Sequence, residues 1–306
     1  MTTAPGYWQA IRRVHRFEYP FPLAYACHAF WGAAYAVSAR AQLLAPPVLL
    51  AVVATLIPIV AQNVLNAGQD IGSDSMHPGK AGIAVAAKRL GVVQANWWSC
   101  MEFGVAVLIV GVVSVWEGRP LVVATVAVCV ILHLMYNLEP VKLKRRGFAN
   151  PVYLGLTFGF LPCMSSFAAV RPDLPGWAWL VFAGFGTLMT GRTLWWAVPD
   201  RDADAAGGVR TIVVSLGAHR AWLSACLITA AGIAVLGWGV WLRLGPGWAL
   251  VVIVATGLFL VNKLRKLARV SNDRLPSERR MRTHTLTIVV LTDALVTLVP
   301  LIASHS

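Results

Sequence analysis

The stretch Asn66-Ala67-Gly68-Gln69-Asp70-Ile71-Gly72-Ser73-Asp74, followed by His77-Pro78-Gly79-Lys80, decides how this chain is read. It closes an apolar run from Val48 to Val64 that is long enough for most of a membrane helix. Asn66, Asp70 and Asp74 are four residues apart, so on a helix they share one face, about 6 Å from each other. One amide and two carboxylates therefore line up at the mouth of an apolar segment. Closely spaced carboxylates repel unless a cation lies between them. Oxygen-only donors suit a hard ion, and Mg²⁺ is commonly held by one or two carboxylates plus substrate phosphates. The local expectation is a Mg²⁺-diphosphate site at a membrane surface.

A second acidic cluster, Asp200, Asp202 and Asp204, follows another apolar run, Trp177 to Val198. Asp200 and Asp204 are again four apart. Residues 1–306 read as one membrane domain with two similar halves, 22–150 and 151–283, and a last helix at 284–303. Little beyond the position of the acidic motif recurs between the halves.

Composition sets the class. Of the 306 residues, 58% are hydrophobic and only 13% charged, against roughly 25% charged in a soluble domain. Mean hydropathy is +0.66, which excludes an ordinary soluble fold and points to an all-α polytopic membrane protein. Residues 1–21 lack the apolar core and small-residue cleavage site of a signal peptide. The cysteines Cys27, Cys100, Cys129, Cys163 and Cys226 stand singly in or beside apolar runs and read as small hydrophobes. The histidines show no paired metal spacing, and nothing suggests nucleic acid as a partner.

Nine spans are expected, at about 22–38, 44–67, 95–115, 120–137, 151–170, 177–198, 220–241, 247–262 and 284–303, given about 20 apolar residues per crossing. With the N-terminus in the cytoplasm, only Arg40, Arg119, Arg171 and Arg243 of the 26 Lys and Arg residues fall outside it. That asymmetry is the positive-inside pattern, and it puts both acidic motifs on the cytoplasmic face of a cytoplasmic-membrane protein. The basic loops serve topology and lipid headgroups, and they also attract a polyanionic substrate. The segment Gly82 to Leu90 has the spacing of a helix lying along the membrane surface, or of a plain connector.

A third constellation, Tyr136-Asn137-Leu138-Glu139-Pro140-Val141-Lys142-Leu143-Lys144-Arg145-Arg146, ends the fourth span. By itself it reads as a stop-transfer anchor. Beside two acidic motifs on one face, its cations read as phosphate partners.

These three motifs, in this order and at these helix ends, resemble the UbiA superfamily of intramembrane prenyltransferases, and the resemblance covers essentially the whole chain. Its carriers are Asn66/Asp70/Asp74 with His77-Pro78-Gly79-Lys80, then Tyr136 to Lys144, then Asp200/Asp204 running into Gly208-Val209-Arg210-Thr211. The resemblance implies nine helices around a central cavity under a cap of cytoplasmic loops. It implies two Mg²⁺ ions, one on Asp70 and Asp74 and one on Asp200 and Asp204, gripping a prenyl diphosphate. Asn66 and Tyr136 would act in the same site, and Lys80, Lys142, Lys144, Arg145 and Arg210 would hold diphosphate oxygens. Trp97, Trp98, Trp195 and Trp196 are candidates for cavity aromatics facing a carbocation, or for an interfacial belt.

Two departures stand out. Ala197 occupies the position where the family usually opens its second motif with Asp, and Ala67 follows Asn66 in place of a second acid. Two intramembrane acids remain, Glu102 and Asp293, and such groups are functional candidates by default. Glu102 is a candidate for acceptor binding or proton transfer, and Asp293 for function or helix packing. The reading is a prenyltransferase acting on an aromatic or lipid acceptor. The alternative is a superfamily terpene cyclase that folds the cation onto its own double bonds without a co-substrate. A transporter is disfavoured because the motifs sit at the surface and not at the midplane. The packed motif of a CDP-alcohol phosphotransferase is absent.

Overall fold

Proline and glycine punctuate the helices. Pro46, Pro120 and Pro246 each stand in the first turn of a long helix, where the missing N–H costs nothing. Gly118, at φ +65°, and Gly245, at φ +88°, close the helices before two of them. The computed structural model describes residues 5–18, 20–76 and 79–303, apart from the side chains of residues 279, 282 and 284. His77 and Pro78 of the first motif lie outside the described residues. The elements are α1 (Tyr7–Val14), α2 (Phe21–Ala36), α3 (Pro46–Gln69), α4 (Ile71–Met76), α5 (Ala81–Leu90), α6 (Val92–Glu117), α7 (Pro120–Asn137), α8 (Ala149–Gly155), α9 (Leu161–Val170), α10 (Gly176–Trp196), α11 (Arg201–Ala206), α12 (Ile212–Leu216), α13 (Ala218–Leu244), α14 (Pro246–Leu267), α15 (Glu278–Arg280) and α16 (Leu286–Ala303).

All nine expected apolar runs are helical, but among the described residues seven helices, not nine, are long and apolar enough to cross a membrane: α3, α6, α7, the α8–α9 rod Ala149–Val170, α13, α14 and α16. The other two fail for different reasons. Helix α2 has 16 residues, roughly 24 Å at 1.5 Å each, short of a hydrocarbon core of about 30 Å. Helix α10 has 21 residues, but it carries Arg192 and is diluted by Gly, Thr and Trp. Its small residues serve packing. A Cβ on Gly184 would lie 2.6 Å from Leu236 Cα, and one on Gly232 would lie 2.5 Å from Leu188 N. The α10 and α13 backbones therefore approach as closely as small residues allow, the usual basis of helix association in lipid.

The main core joins α2, α9, α10 and α13 around Trp31, Phe167, Phe182, Phe185 and Leu236, with Trp31 and Phe185 stacked at 4.0 Å. Leu108 and Val115 of α6 and Leu250 and Leu258 of α14 are exposed, as expected of faces turned to lipid. The short helices gather at one end. Helix α5 realises the expected helix at Gly82 to Leu90, but its apolar face is buried against protein: Ile83, Ala86, Ala87 and Leu90 pack with Ala10 and Val14 of α1. Between α8 and α9 the chain makes a π-helical turn, Leu156–Phe160. Pro162, which has no N–H to donate, follows it.

Candidate active site

The first acidic motif keeps its register through a break in the helix. Asp70 caps α3 at φ −109°, ψ 13°. Even so, its N–H donates to the Asn66 carbonyl at 2.9 Å, and the Asp74 N–H donates to the Asp70 carbonyl at 2.8 Å. The four-residue spacing thus produces the shared face despite the bend. The second motif starts in the turn Val198–Asp200 and continues on α11.

Two lysines join the motifs to the loops. Lys144 Nζ lies 2.5 Å from Asp70 Oδ1, and Lys80 Nζ lies 2.7 Å from Asp200 Oδ2. Lys80 stands just before α5, after the first motif, so its bond to Asp200 ties one motif to the other. Lys142 adopts φ +41°, a backbone region rare outside glycine, in the turn that delivers Lys144. A second stitch runs through the backbone. The Gly147 N–H donates to the Arg210 carbonyl at 3.1 Å, so the loop after α7 meets the Gly208–Thr211 stretch.

The carboxylates sense one another across the two motifs. Burial pushes Asp74 up to about 6, and the neighbouring carboxylates of Asp70 and Asp200 add to the rise while Lys80 and Arg16 oppose it. Burial likewise raises Asp204 to about 6, with Asp200 and Asp70 contributing and the Lys80 charge and the Thr211 hydroxyl opposing. Burial lowers Lys80, but the Asp200 and Asp74 charges outweigh it and hold the ammonium above its ordinary range. Burial wins at Lys144 and lowers it, against the pull of Asp70. Four carboxylates from two distant segments therefore share one electrostatic environment.

The donor set fits a hard cation. Asp70 with Asp74 and Asp200 with Asp204 offer oxygen alone. Among the described residues, no three His, Cys, Asp or Glu side chains gather closely enough to hold a metal by themselves. Each pair would need further oxygens, as a diphosphate supplies.

Below the motifs lies a cavity of about 290 Å³, at the small end of the range for ligand pockets. Asn66, Lys80, Tyr136, Asp200, Trp195 and Trp196 line it, as do Phe21, Tyr25 and Phe158. Tyr136 stacks on Tyr153 at 4.1 Å and donates its hydroxyl to Asn150 Oδ1 at 3.3 Å. Phe158 comes from the π turn. Ala197 also lines the cavity, so the missing acid leaves an apolar wall there.

Other expected residues stand elsewhere. Lys142 and Arg145 face Glu139, at 3.1 and 3.8 Å. The Arg210 side chain is exposed. Asp202 pairs with Arg201 at 2.7 Å and is exposed, as its place off the Asp200–Asp204 face predicts. Trp97 is 61% exposed, and Trp98 packs beside α1 and α5; neither lines the cavity. Glu102 bonds His15 Nε2 at 2.8 Å and fastens α6 to the end of α1, away from the cavity. Helical phase explains both results, because the cavity-side face of α6 is set by its neighbours and not by its own sequence.

Sequence reasoning missed two groups, Arg192 and His28, and singled out the third that meets them, Asp293, only as an intramembrane acid. Arg192 and His28 line the cavity, and Asp293 stands behind them, 2.6 Å from Arg192 Nη1 and 3.6 Å from His28 Nε2. Arg192 was counted only among the basic residues of the cytoplasmic side, although it falls within the expected sixth span, 177–198, where a charged side chain was the signal available.

A model of the UbiA prenyltransferase family matches residues 26–286. Among curated proteins, the chain is similar to the 4-hydroxybenzoate octaprenyltransferase of Acidovorax ebreus, at 31% identity over 151 residues, 46% of this chain and 50% of the relative. The enzyme of the same name from Thiobacillus denitrificans is 35% identical over 123 residues, 40% of this chain and 41% of the relative. The chain spans about half the length of the curated relatives it matches. Among solved structures, a UbiA homolog from Archaeoglobus fulgidus superposes with TM-score 0.71 at 14% identity, covering 97% of this chain and all of that one. The same homolog bound to GPP and Mg²⁺ gives TM-score 0.67 at 16% identity, covering 97% and 100%. These likenesses establish a shared fold.

Proposed function

Since the chain belongs to the UbiA prenyltransferase family, we propose that it is a Mg²⁺-dependent membrane enzyme that transfers the prenyl group of an isoprenyl diphosphate to an aromatic or lipid acceptor. The observation that carries this reading is the meeting of two acidic motifs, 120 residues apart at the Lys80–Asp200 bond, over one partly aromatic cavity. The names of the matched relatives favour an aromatic acid as the acceptor.

Mg²⁺ held by Asp70 with Asp74 and by Asp200 with Asp204 would neutralise the leaving diphosphate. Lys80 and Lys144, now on Asp200 and Asp70, would turn to diphosphate oxygens when these arrive. The bond between the allylic carbon and its oxygen breaks, and both electrons leave with the diphosphate. Phe21, Tyr25, Phe158, Trp195 and Trp196 then shelter the cation from water and present ring faces to it. A carbon or oxygen of the acceptor attacks the cation and loses a proton. In this reading the N-terminus and the motif loops face the cytoplasm, as the basic residues ask.

A second reading, cyclisation without an acceptor, is favoured by two observations. The carboxylate of Glu102 is committed to His15, and Ala197 replaces an acid at the cavity wall. One experiment separates the two. Membranes bearing the protein are given Mg²⁺ and C10 to C25 prenyl diphosphates, with and without aromatic acids. Hexane extracts are compared by gas chromatography–mass spectrometry, and acid products by liquid chromatography, with Asp70→Ala as control. A prenylated acid absent from the control supports transfer. A cyclic terpene formed without acceptor replaces it with cyclisation. No product of either kind refutes both.

A further inference from the structure

The end of the bundle away from the motifs carries a second cavity. Helix α13 starts soon after the second motif and ends at Leu244, about 40 Å further along at 1.5 Å per residue. There Tyr35, Val37, Arg243, Trp248, Pro300 and Ala303 line a cavity of about 320 Å³, where α2, α13 and α16 end and α14 begins. Packing fixes its walls. Pro300 has no N–H to offer the Val296 carbonyl one turn back, and the buried Tyr35 hydroxyl donates to that carbonyl at 3.4 Å instead.

Three of the four arginines expected at this end gather here. Arg40 Nε donates to the Leu301 carbonyl at 3.0 Å, next to Pro300 in sequence. Arg171 is the charged neighbour of Arg243, and Asp173 answers it with two bonds, at 3.1 and 2.7 Å. Among the described residues nothing answers Arg243 in that way. Its Nε is buried without a hydrogen-bond partner, and one face of the guanidinium is covered by Trp177, with Cζ 5.1 Å from the ring centre. The side chain as a whole is only half-buried, so the remainder of the fork is reachable.

A guanidinium in such a setting suits a phosphate, which it grips with two parallel bonds. No acid stands among the described residues that line the cavity, so a headgroup ammonium would find no partner. At this size the cavity takes a headgroup and leaves acyl chains outside. Trp238, Trp241 and Leu242 recur at helical spacing, each more than half exposed, and form an apolar stripe of α13 that leads up to Arg243. We propose that this cavity binds the phosphate of a net-anionic phospholipid, with Arg243 on the phosphate and the acyl chains along that stripe. The site is independent of the transferase reading and stands outside the machinery of the motif end.

The test is native mass spectrometry of the delipidated full chain in detergent, given phosphatidylglycerol or phosphatidylcholine with matched chains. The wild-type protein should bind the first phosphatidylglycerol about fivefold more tightly than phosphatidylcholine. Arg243→Gln should remove that preference, whereas Arg269→Gln, an exposed cation after α14, should keep it. If Arg243→Gln does not fold by circular dichroism, Ala303→Trp fills the cavity with the charge in place and should give the same loss. No preference in the wild type, a preference retained in a folded cavity variant, or an equal loss in Arg269→Gln overturns the site. Millimolar glycerol 3-phosphate separates the sources of phosphate. Lipid that stays bound in its presence supports a lipid site, and full displacement overturns it in favour of a soluble phosphate ester.

Discussion

The two ends of the cavity handle charge in opposite ways. At the motif end, excess carboxylates are answered by two lysines from the short connections, Lys144 on Asp70 and Lys80 on Asp200. At the far end, Arg192 and Asp293 project from α10 and α16 and are locked in the bundle. The contrast separates an end whose cations come from connections between helices from one whose ion pair is fixed by the packing of two long helices. Loop cations lose little by changing partners, whereas a buried pair that loses one member leaves a stranded charge.

The largest effect that tests this contrast is expected at the motif end. Asp70→Ala should cut turnover of a prenyl diphosphate by about 10³-fold or more, the scale of lost electrostatic stabilisation of a leaving group, with little change in thermal stability. Turnover within tenfold of wild type would sink the assignment of Asp70. The far end should behave in reverse. Asp293→Leu strands Arg192 and should lower stability by about 3 kcal/mol, seen as a lower melting temperature in detergent, and Arg192→Met on top of it should recover most of the loss.

Smaller effects sharpen the picture. Lys144→Ala should raise KM for the diphosphate by about 10-fold without weakening Mg²⁺ binding, because the lysine competes with the metal for Asp70. Weaker Mg²⁺ binding in that variant would make Lys144 a support of the metal site instead. The smallest effect is a slope. Asp74 and Asp204 hold their protons up to about 6, above ordinary unfolded carboxylates. Between pH 4 and 6 the folded protein therefore binds more protons than the unfolded chain, and metal-free stability should fall as pH rises through that window. With saturating Mg²⁺, which needs the deprotonated form, stability should rise instead. Melting curves with EDTA and with Mg²⁺ that slope the same way would show that these two carboxylates do not meet the ion.

The motif end was legible because its residues are close in sequence. Asn66, Asp70 and Asp74 announce themselves by spacing, as do Asp200 and Asp204, and the exposed Asp202 is excluded by the same periodicity. Basic residues were legible as a group but not individually. Of five expected to face the motifs, Lys80 and Lys144 reach them, Lys142 and Arg145 turn to Glu139, and Arg210 is exposed. A loop's direction depends on backbone turns such as that at Lys142, which residue type does not encode. The far end was nearly invisible, since His28, Arg192 and Asp293 come from three helices and meet only through packing. The count of spans failed where packing overrides hydropathy. Helix α10 trades apolar side chains for glycines that admit α13, and α2 is shorter than a bilayer is thick.

The π turn at Leu156–Phe160 has a consequence for how such a cavity changes over descent. A π turn is geometrically a single inserted residue. Removing one residue there would restore a regular helix and re-phase the side chains of that turn, while the flanking segments stay close to where they are because the bulge had absorbed the extra residue. Phe158 would leave the cavity wall and a different side chain would replace it, with both acidic motifs untouched. Pocket shape in this scaffold can therefore be re-cut by a one-codon deletion, a genetic step that leaves every ionisable group of the site in place.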